Sequence, residues 1–409
     1  MATAHLRVRP EDVATCVSCG LCLNDCPTYR VLGNEADSPR GRIQLIRALM
    51  ATDAAPDEKV TSHIDGCLVC RACETACPSL VPFGRIMEGA REEIAARRPP
   101  GRVRAWLVDL VTHPRLLAAA AFGARLYERS GLRGLVRRLL PRRLARLEGL
   151  LGAPEGAPFE PRPRERPDAM LLAGCVMRAA FGDTQRATIA LLERGGTRVS
   201  APAGQVCCGA LHAHAGLGER ARELARRNVR AFAGGAPLVS TAAGCGAHLR
   251  AYGELLADDE LAPEARALAA RVRDASEAVP PDAVRRALPR GLRVVYQDAC
   301  HLAHGQGVRR QPRDLLGAIE GLELVAIADP ERCCGSAGVY NLTHPEVADE
   351  LQRQKAVAIL AARPDLVVSA NPGCILQLRA GLRAAGSDLK VMHLMRFLAD
   401  AEACLPPAR

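Results

Sequence analysis

CVSCGLCLNDCP (16–27) and CLVCRACETACP (67–78) decide how this chain is read. Both segments obey C-x2-C-x2-C-x3-C-P. A cubane [4Fe–4S] cluster needs four thiolates that converge on a small tetrahedron. Three cysteines at two-residue intervals wrap one loop around three irons, and the fourth leaves on a helix toward the other cluster. The expected sets are therefore Cys16, Cys19, Cys22 and Cys77 for one cluster, and Cys67, Cys70, Cys73 and Cys26 for the other. Structural zinc also uses C-x2-C pairs and is the alternative, but it usually separates its two pairs by a longer loop.

Working outward, 40 residues lie between Cys26 and Cys67. That is room for helices, so an α-helical ferredoxin-like domain is expected over about 1–98 rather than the compact β-type. Within it, Ser38 reads as an N-cap and Pro39 as a first helical residue. Ile43, Ile46 and Met50 follow at helical spacing, with Leu45 and Leu49 adjoining.

The whole chain has 409 residues, 48% hydrophobic and 24% charged, with 17 cysteines. That is the composition of an ordinary globular protein with several cores. The N-terminus MATAHLRVRPEDVATC has acids and no apolar signal core, and the apolar run Leu116–Ala124 is nine residues, where a spanning helix needs about 20. A reducing cytoplasmic setting follows, in which grouped thiols point to metal or redox chemistry. The formal charge of +10 is almost all arginine, since Lys59, Lys355 and Lys390 are the lysines. Residues 101–150 concentrate it, with 11 arginines against Asp109, Glu128 and Glu148. Nucleic acid is set aside, because aromatics make up only 3% of the chain. The segment 99–167 reads as a basic helical hairpin bounded by Pro-rich linkers, which either lies on anionic lipid or faces solvent or a partner.

Residues 168–409 alternate strand-like and helical runs, predicting an α/β domain with parallel strands. They also repeat. AMLLAGCV (169–176) answers RVVYQDAC (293–300), VCCG (206–209) answers RCCG (332–335), and LVSTAAGC (238–245) answers LVVSANPGC (366–374). Half-domains at 168–288 and 289–409 are expected, facing one another so that two cysteine sets share a cleft. The sets are Cys175, Cys207, Cys208 and Cys245, and Cys300, Cys333, Cys334 and Cys374. Adjacent cysteines before glycine can bind one centre or bridge two metals; buried inert cysteines are the bland alternative. Cys404 is left over as a simple thiol. His301 reads as a ligand, a proton relay or a satisfied polar residue, and His344 as a turn residue before Pro345. GLGERA (216–221) follows no clear strand, so no NAD or flavin fingerprint is expected on this chain.

The cysteine loops, with RVLGNEADSPRGRIQLIRALM (30–50), LAGCV, VCCGA, TAAGCGA, CCGSAGVYNLTHP and SANPGC, closely resemble the iron–sulfur subunits of bacterial glycolate dehydrogenase (glycolate oxidase). More broadly the layout is similar to fused heterodisulfide reductase C and B subunits, as in the anaerobic glycerol-3-phosphate dehydrogenase C subunit. The heterodisulfide reductase B (CCG-domain) pattern ends in C-x-x-C, whereas here Cys245 precedes His248 and Cys374 precedes Gln377. That departure leaves room for a third cubane or another metal in the CCG domain. The resemblance implies a relay of electrons from a separate FAD subunit, where glycolate or D-lactate is oxidised, to a quinone-type or respiratory-chain acceptor. It also implies a cytoplasmic protein, either free or peripheral on the inner membrane. A disulfide reductase, a subunit of a lactate or glycerol-3-phosphate dehydrogenase, and a non-catalytic metal sensor are the competing readings.

Overall fold

The computed structural model describes residues 8–99, 106, 108–110, 112–133, 136, 139–150, 152 and 154–404. Helices Pro27–Leu32, Pro39–Met50 and Glu58–Asp65 carry the chain between the two cysteine loops, and Phe83–Arg97 follows the second. Among the described residues this region has no strand, in keeping with the helical expectation. Ser38 caps as expected: its Oγ accepts the Gly41 N–H at 2.9 Å. Ile43, Ile46 and Leu49 bury against Ile64, Ile86, Met87 and Ile94. Met50 is only half-buried, because the inward stripe runs through Leu49 instead.

The same helix carries a fully buried arginine. Arg42 donates from Nε to the His63 carbonyl at 2.7 Å and from Nη1 to Thr28 Oγ1 at 2.9 Å and the Asp37 carbonyl; Nη2 pairs with Asp37 Oδ1 at 3.2 Å. A guanidinium is tolerated in a core only when its donors are spent on protein in this way. Arg42 thereby ties three segments together beside Cys26.

The C-terminal part is two parallel sheets of the same design. β1 (Ala169–Leu171), β2 (Val199–Ser200), β3 (Leu238–Ser240) and β4 (Val272–Asp274) run in the order β2-β1-β3-β4. β5 (Arg286–Gln297), β6 (Ile319–Leu324), β7 (Leu366–Ser369) and β8 (Lys390–His393) run in the order β6-β5-β7-β8. Every residue of β3 and β7 is buried, as expected for parallel strands covered by helices on both faces. β5 begins at Arg286 and shifts register between Ala287 and Leu292, so the division expected at 288/289 falls inside a strand.

In each sheet the chain winds outward from its first strand in one direction, then returns and winds the other way. Loops leaving the carboxyl ends of the central strands must diverge there and leave a crevice. Cys175 follows β1, Cys207 and Cys208 follow β2, and Cys245 follows β3. Cys300, Cys333, Cys334 and Cys374 follow β5, β6 and β7 in the same way. Of the basic segment, Pro114–Arg129 packs on Val176–Ala180 and Arg142–Leu150 packs on Pro372–Ala384. Arg146 Nε pairs with Asp349 at 2.7 Å.

Replacing Arg42 with alanine takes the guanidinium from the buried Asp37 carboxylate, which keeps only its His63 ring contact, and from the His63 carbonyl, so a loss of about 3 kcal/mol is expected. Hydrogen exchange should show the Pro39–Met50 and Glu58–Asp65 amides opening while those of β3 and β7 stay protected. Unchanged protection in both helices would count against this role for Arg42.

Candidate metal centres

The two N-terminal loops share one backbone device. Ser18 and Val69, each two residues past a first cysteine, have φ of 58° and 51°; Gly20 and Arg71, each just past a second cysteine, have 85° and 65°. The left-handed region is unfavourable for non-glycine residues, and most of all for a β-branched one such as Val69. Each reversal turns the next cysteine back toward the same centre.

The result is a pair of thiol-lined cavities. The first is lined by Cys16, Cys19, Cys22 and Cys77, with Cys73 also on its wall. The second is lined by Cys67, Cys70, Cys73 and Cys26. In both, a fourth cysteine crosses over from the other motif. Burial pushes the Cys22 thiol up to about 11 and the Cys70 and Cys73 thiols well above their ordinary value. Such thiols stay protonated on their own, whereas a cationic core reverses that preference. Four soft sulfur donors lining one hollow fit an iron–sulfur cluster.

Each C-terminal half brings its four cysteines into one chain of thiols. In the first half Cys175 meets Cys207, Cys207 meets Cys208, and Cys208 Sγ lies 3.2 Å from Cys245 Sγ. That separation is well beyond a disulfide bond of about 2.05 Å. In the second half the order is Cys300, Cys333, Cys334, Cys374. The glycines after the paired cysteines are both left-handed, Gly209 at 90° and Gly335 at 88°. They also let a helix pass closely: an added Cβ would meet the Ala221 carbonyl at 3.2 Å in one half and the Ala348 carbonyl at 2.6 Å in the other.

Seven residues beyond those alanines the halves diverge. Asn228 Nδ2 donates to the Cys207 carbonyl at 3.0 Å and its Oδ1 accepts from Val206 N–H at 2.9 Å. Its counterpart, buried Lys355, donates to the carbonyls of Asp329 at 2.6 Å and Pro330 at 3.2 Å. Cys334 is held well below the usual thiol range by hydrogen bonds from Cys333 and Cys374, with the Lys355 ammonium nearby. Burial in turn lowers Lys355.

The halves meet in a packed junction. Ala243 N–H donates to the Ala370 carbonyl at 3.3 Å, and Gly244 N–H to Asn371 Oδ1 at 3.4 Å. The second N-terminal loop is pressed into the same junction. His301 Nε2–H donates to the Val69 carbonyl at 2.7 Å, Tyr340 O–H to the Gly66 carbonyl at 3.1 Å, and Arg71 Nη1 to the Gly305 carbonyl at 3.4 Å. Arg91 Nη2 holds the Ile64 and Asp65 carbonyls while Nη1 reaches the His214 carbonyl at 2.8 Å. Of the readings open for His301, the satisfied polar residue fits this geometry. Burial works to raise Glu88, yet the neighbouring imidazoles of His214, His248 and His301 hold it down at about 2; His214 Nδ1 lies 2.8 Å away. His344 sits at the turn before Pro345 as expected and stacks on Tyr340 at 4.5 Å. Cys404 ends a short turn at Glu402–Cys404.

Comparison with known proteins follows the same division. Residues 12–81 match the 4Fe-4S dicluster domain family, and 169–250 and 294–379 match the cysteine-rich domain. Residues 99–151 match the linker region of the glycolate oxidase iron-sulfur subunit. The probable glycolate oxidase iron-sulfur subunit of Bacillus subtilis is 36% identical over 97% of this chain and 95% of its own length. The chain belongs to the family of glycolate oxidase iron–sulfur subunits. The Escherichia coli glycolate oxidase iron-sulfur subunit is 33% identical over 94% of this chain and 93% of its own. Lactate utilization protein A of Geobacillus kaustophilus is 29% identical over 56% of this chain and 97% of its own.

Sequence reasoning passed over several residues that shape these sites in this family member. Arg91 and His214 carry no motif, and Tyr340 lies within CCGSAGVYNLTHP without standing out there. Lys355 did leave a signal: it is one of three lysines in an arginine-rich chain, and so an unusual choice for a buried helix position.

The two CCG glycines differ in a testable way. Gly335→Ala should lower metal binding and stability more than Gly209→Ala, since its new methyl meets backbone at 2.6 Å rather than 3.2 Å. Metal content and denaturant midpoints of the two variants measure this; equal losses would contradict it.

Proposed function

We propose that this chain is the electron-transferring subunit of a flavin-linked glycolate dehydrogenase, with substrate oxidised on a partner FAD subunit and a quinone-type acceptor downstream. Oxidising a 2-hydroxy acid removes a hydride equivalent, which suits a flavin and not an iron–sulfur centre. Cys16, Cys19, Cys22 and Cys77 would hold one cubane, and Cys67, Cys70, Cys73 and Cys26 the other. Cubanes bound there supply one-electron chemistry. D-Lactate is the second substrate to assay.

The observation that carries this reading is the shared wall between the second cavity and the second CCG half. Cys70 lies within electrostatic reach of Cys300, and Leu68, Cys70, Cys333, Tyr340 and Leu351 form one buried cluster. These side chains keep water out between two sets of thiols, and the His301 and Tyr340 hydrogen bonds hold the spacing. The first loop is the opposite: Cys19 is exposed, and Val17, Leu21 and Leu80 are 70%, 58% and 79% exposed around it. That apolar rim is the natural face for a redox partner.

Co-purified with its flavin subunit, the chain should support glycolate-dependent reduction of a quinone analogue. Cys70→Ser should leave flavin reduction by glycolate intact and drop quinone reduction to background. Anaerobic preparations should hold at least about eight irons per chain; fewer after full reconstitution would sink the two-cubane assignment. Disulfide reductase activity of the isolated chain would favour the competing reading.

The basic segment supports peripheral contact with an anionic membrane. Among the described residues no helix is long and apolar enough to cross one. Leu116, Phe122 and Leu126 on Pro114–Arg129 are exposed, as are Leu132, Leu139, Leu144 and Leu147. Apolar side chains set among arginines suit a headgroup interface, at about 1 kcal/mol per basic residue. Vesicles containing anionic phospholipid should sediment the protein, and Phe122→Glu with Leu126→Glu should abolish this. Equal sedimentation of the variant would remove the membrane from the account.

A further inference from the structure

One buried nitrogen beside the first CCG quartet has nothing to do. Cys245 and His248 lie three residues apart on Ala243–Arg250 and so share a helix face. His248 is 5% exposed, and its Nε2 has no hydrogen-bond partner among the described residues. That nitrogen sits against the glycine following the cysteine pair: a Cβ built on Gly209 would lie 3.5 Å from it. The ring is braced edge-on by Tyr252, 5.7 Å between centroids, and Tyr252 O–H donates to the Cys208 carbonyl at 2.7 Å. Leaving a buried polar group unpaired costs about 1–3 kcal/mol, so a braced, orphaned imidazole at the Cys208–Gly209 turn calls for a partner.

The second half provides an internal control. Gln377 stands three residues past Cys374 and is equally buried, but its side chain is spent on protein. Oε1 accepts from Asn341 Nδ2 at 3.0 Å and Nε2 donates to the Ala348 carbonyl at 3.4 Å. The second half has a lysine near its thiols where the first has Asn228. The second quartet has an ammonium nearby; the first has an unpartnered imidazole nitrogen at the glycine that follows its cysteine pair.

We propose that His248 Nε2 is a ligand to the metal centre held by Cys175, Cys207, Cys208 and Cys245, making that centre mixed nitrogen–sulfur and its counterpart all-sulfur. The proposal rests on the reading that this quartet binds metal. The chemistry is that of an iron of an iron–sulfur cluster or of zinc, since both accept imidazole with thiolate. Where His248 takes the place of one of the four thiolates at an iron, the centre is less negative and its potential higher, as in clusters with histidine ligands. The two duplicated halves would then differ in potential by ligand chemistry alone.

The test uses the full chain, reconstituted anaerobically with iron and sulfide, labelled with 15N-histidine, and assayed for iron and zinc. The double variant Cys207→Ser, Cys208→Ser should lose the metal of the first half while the N-terminal cubane signals persist. If that metal is iron, electron–nuclear double resonance should show an imidazole nitrogen coupling that His248→Ala abolishes. If it is zinc, absorption at the zinc edge should show a nitrogen neighbour lost in the same variant. His248→Ala should also yield the metal to a chelator at least about tenfold more readily, and His248→Cys should restore retention with a lower potential if the centre is iron. Unchanged cubane signals in each variant guard against misfolding. Loss of metal in the cysteine variant with retention and spectra unaltered in His248→Ala would overturn the proposal and leave the metal site standing. No metal loss in the cysteine variant would overturn both.

Discussion

A loop of six residues, Gly66–Arg71, is hydrogen-bonded to the second CCG half, and the seating of the second N-terminal site against that half depends on it. Its Gly66 and Val69 carbonyls accept from Tyr340 and His301, and Arg71 donates back to the Gly305 carbonyl. Arg91 fastens the carbonyls just before the loop, and through His214 it links them to the first half. A loop with Val69 and Arg71 in the left-handed region would not hold that shape alone. Packing and hydrogen bonds from two other parts of the chain keep it there.

The rest of the architecture follows from parallel-sheet geometry. Central strands that divert their loops in opposite directions leave a crevice at their carboxyl ends. The duplicated half fills that crevice with cysteines from three successive strands each time. Duplication alone would give two like sites. Asn228 against Lys355, and His248 against Gln377, break the likeness at positions that touch or flank the thiols.

Much of this was legible in the sequence because ligand spacing and strand runs are local properties. The two C-x2-C-x2-C-x3-C-P segments, the Ser38 cap and the repeated apolar runs each read correctly from neighbouring residues alone. Cys26, at the start of the Pro27–Leu32 helix, lines the second cavity, and Cys77, with the next helix beginning only at Phe83, lines the first. Long-range polar contacts were not legible. Nothing near Arg91 or Tyr340 in the chain announces a carbonyl partner on a loop far away in sequence, and the closeness of Cys70 to Cys300 needs the packed junction to exist. Small residues such as Gly244 and Gly305 let the halves pack closely, and periodicity does not report how tightly two halves pack.

The central claim is that the second N-terminal site and the second CCG site are one electronically contiguous unit held by the Gly66–Arg71 loop. Magnetic resonance of the reduced, reconstituted chain tests it most directly. The cubane assigned to Cys67, Cys70, Cys73 and Cys26 should show spin–spin broadening, beyond that from the neighbouring first cubane, that is lost in Cys333→Ser, Cys334→Ser and kept in Cys207→Ser, Cys208→Ser. Broadening unchanged by removal of the second-half thiols, or reduced only when the first-half thiols are removed, would contradict the account.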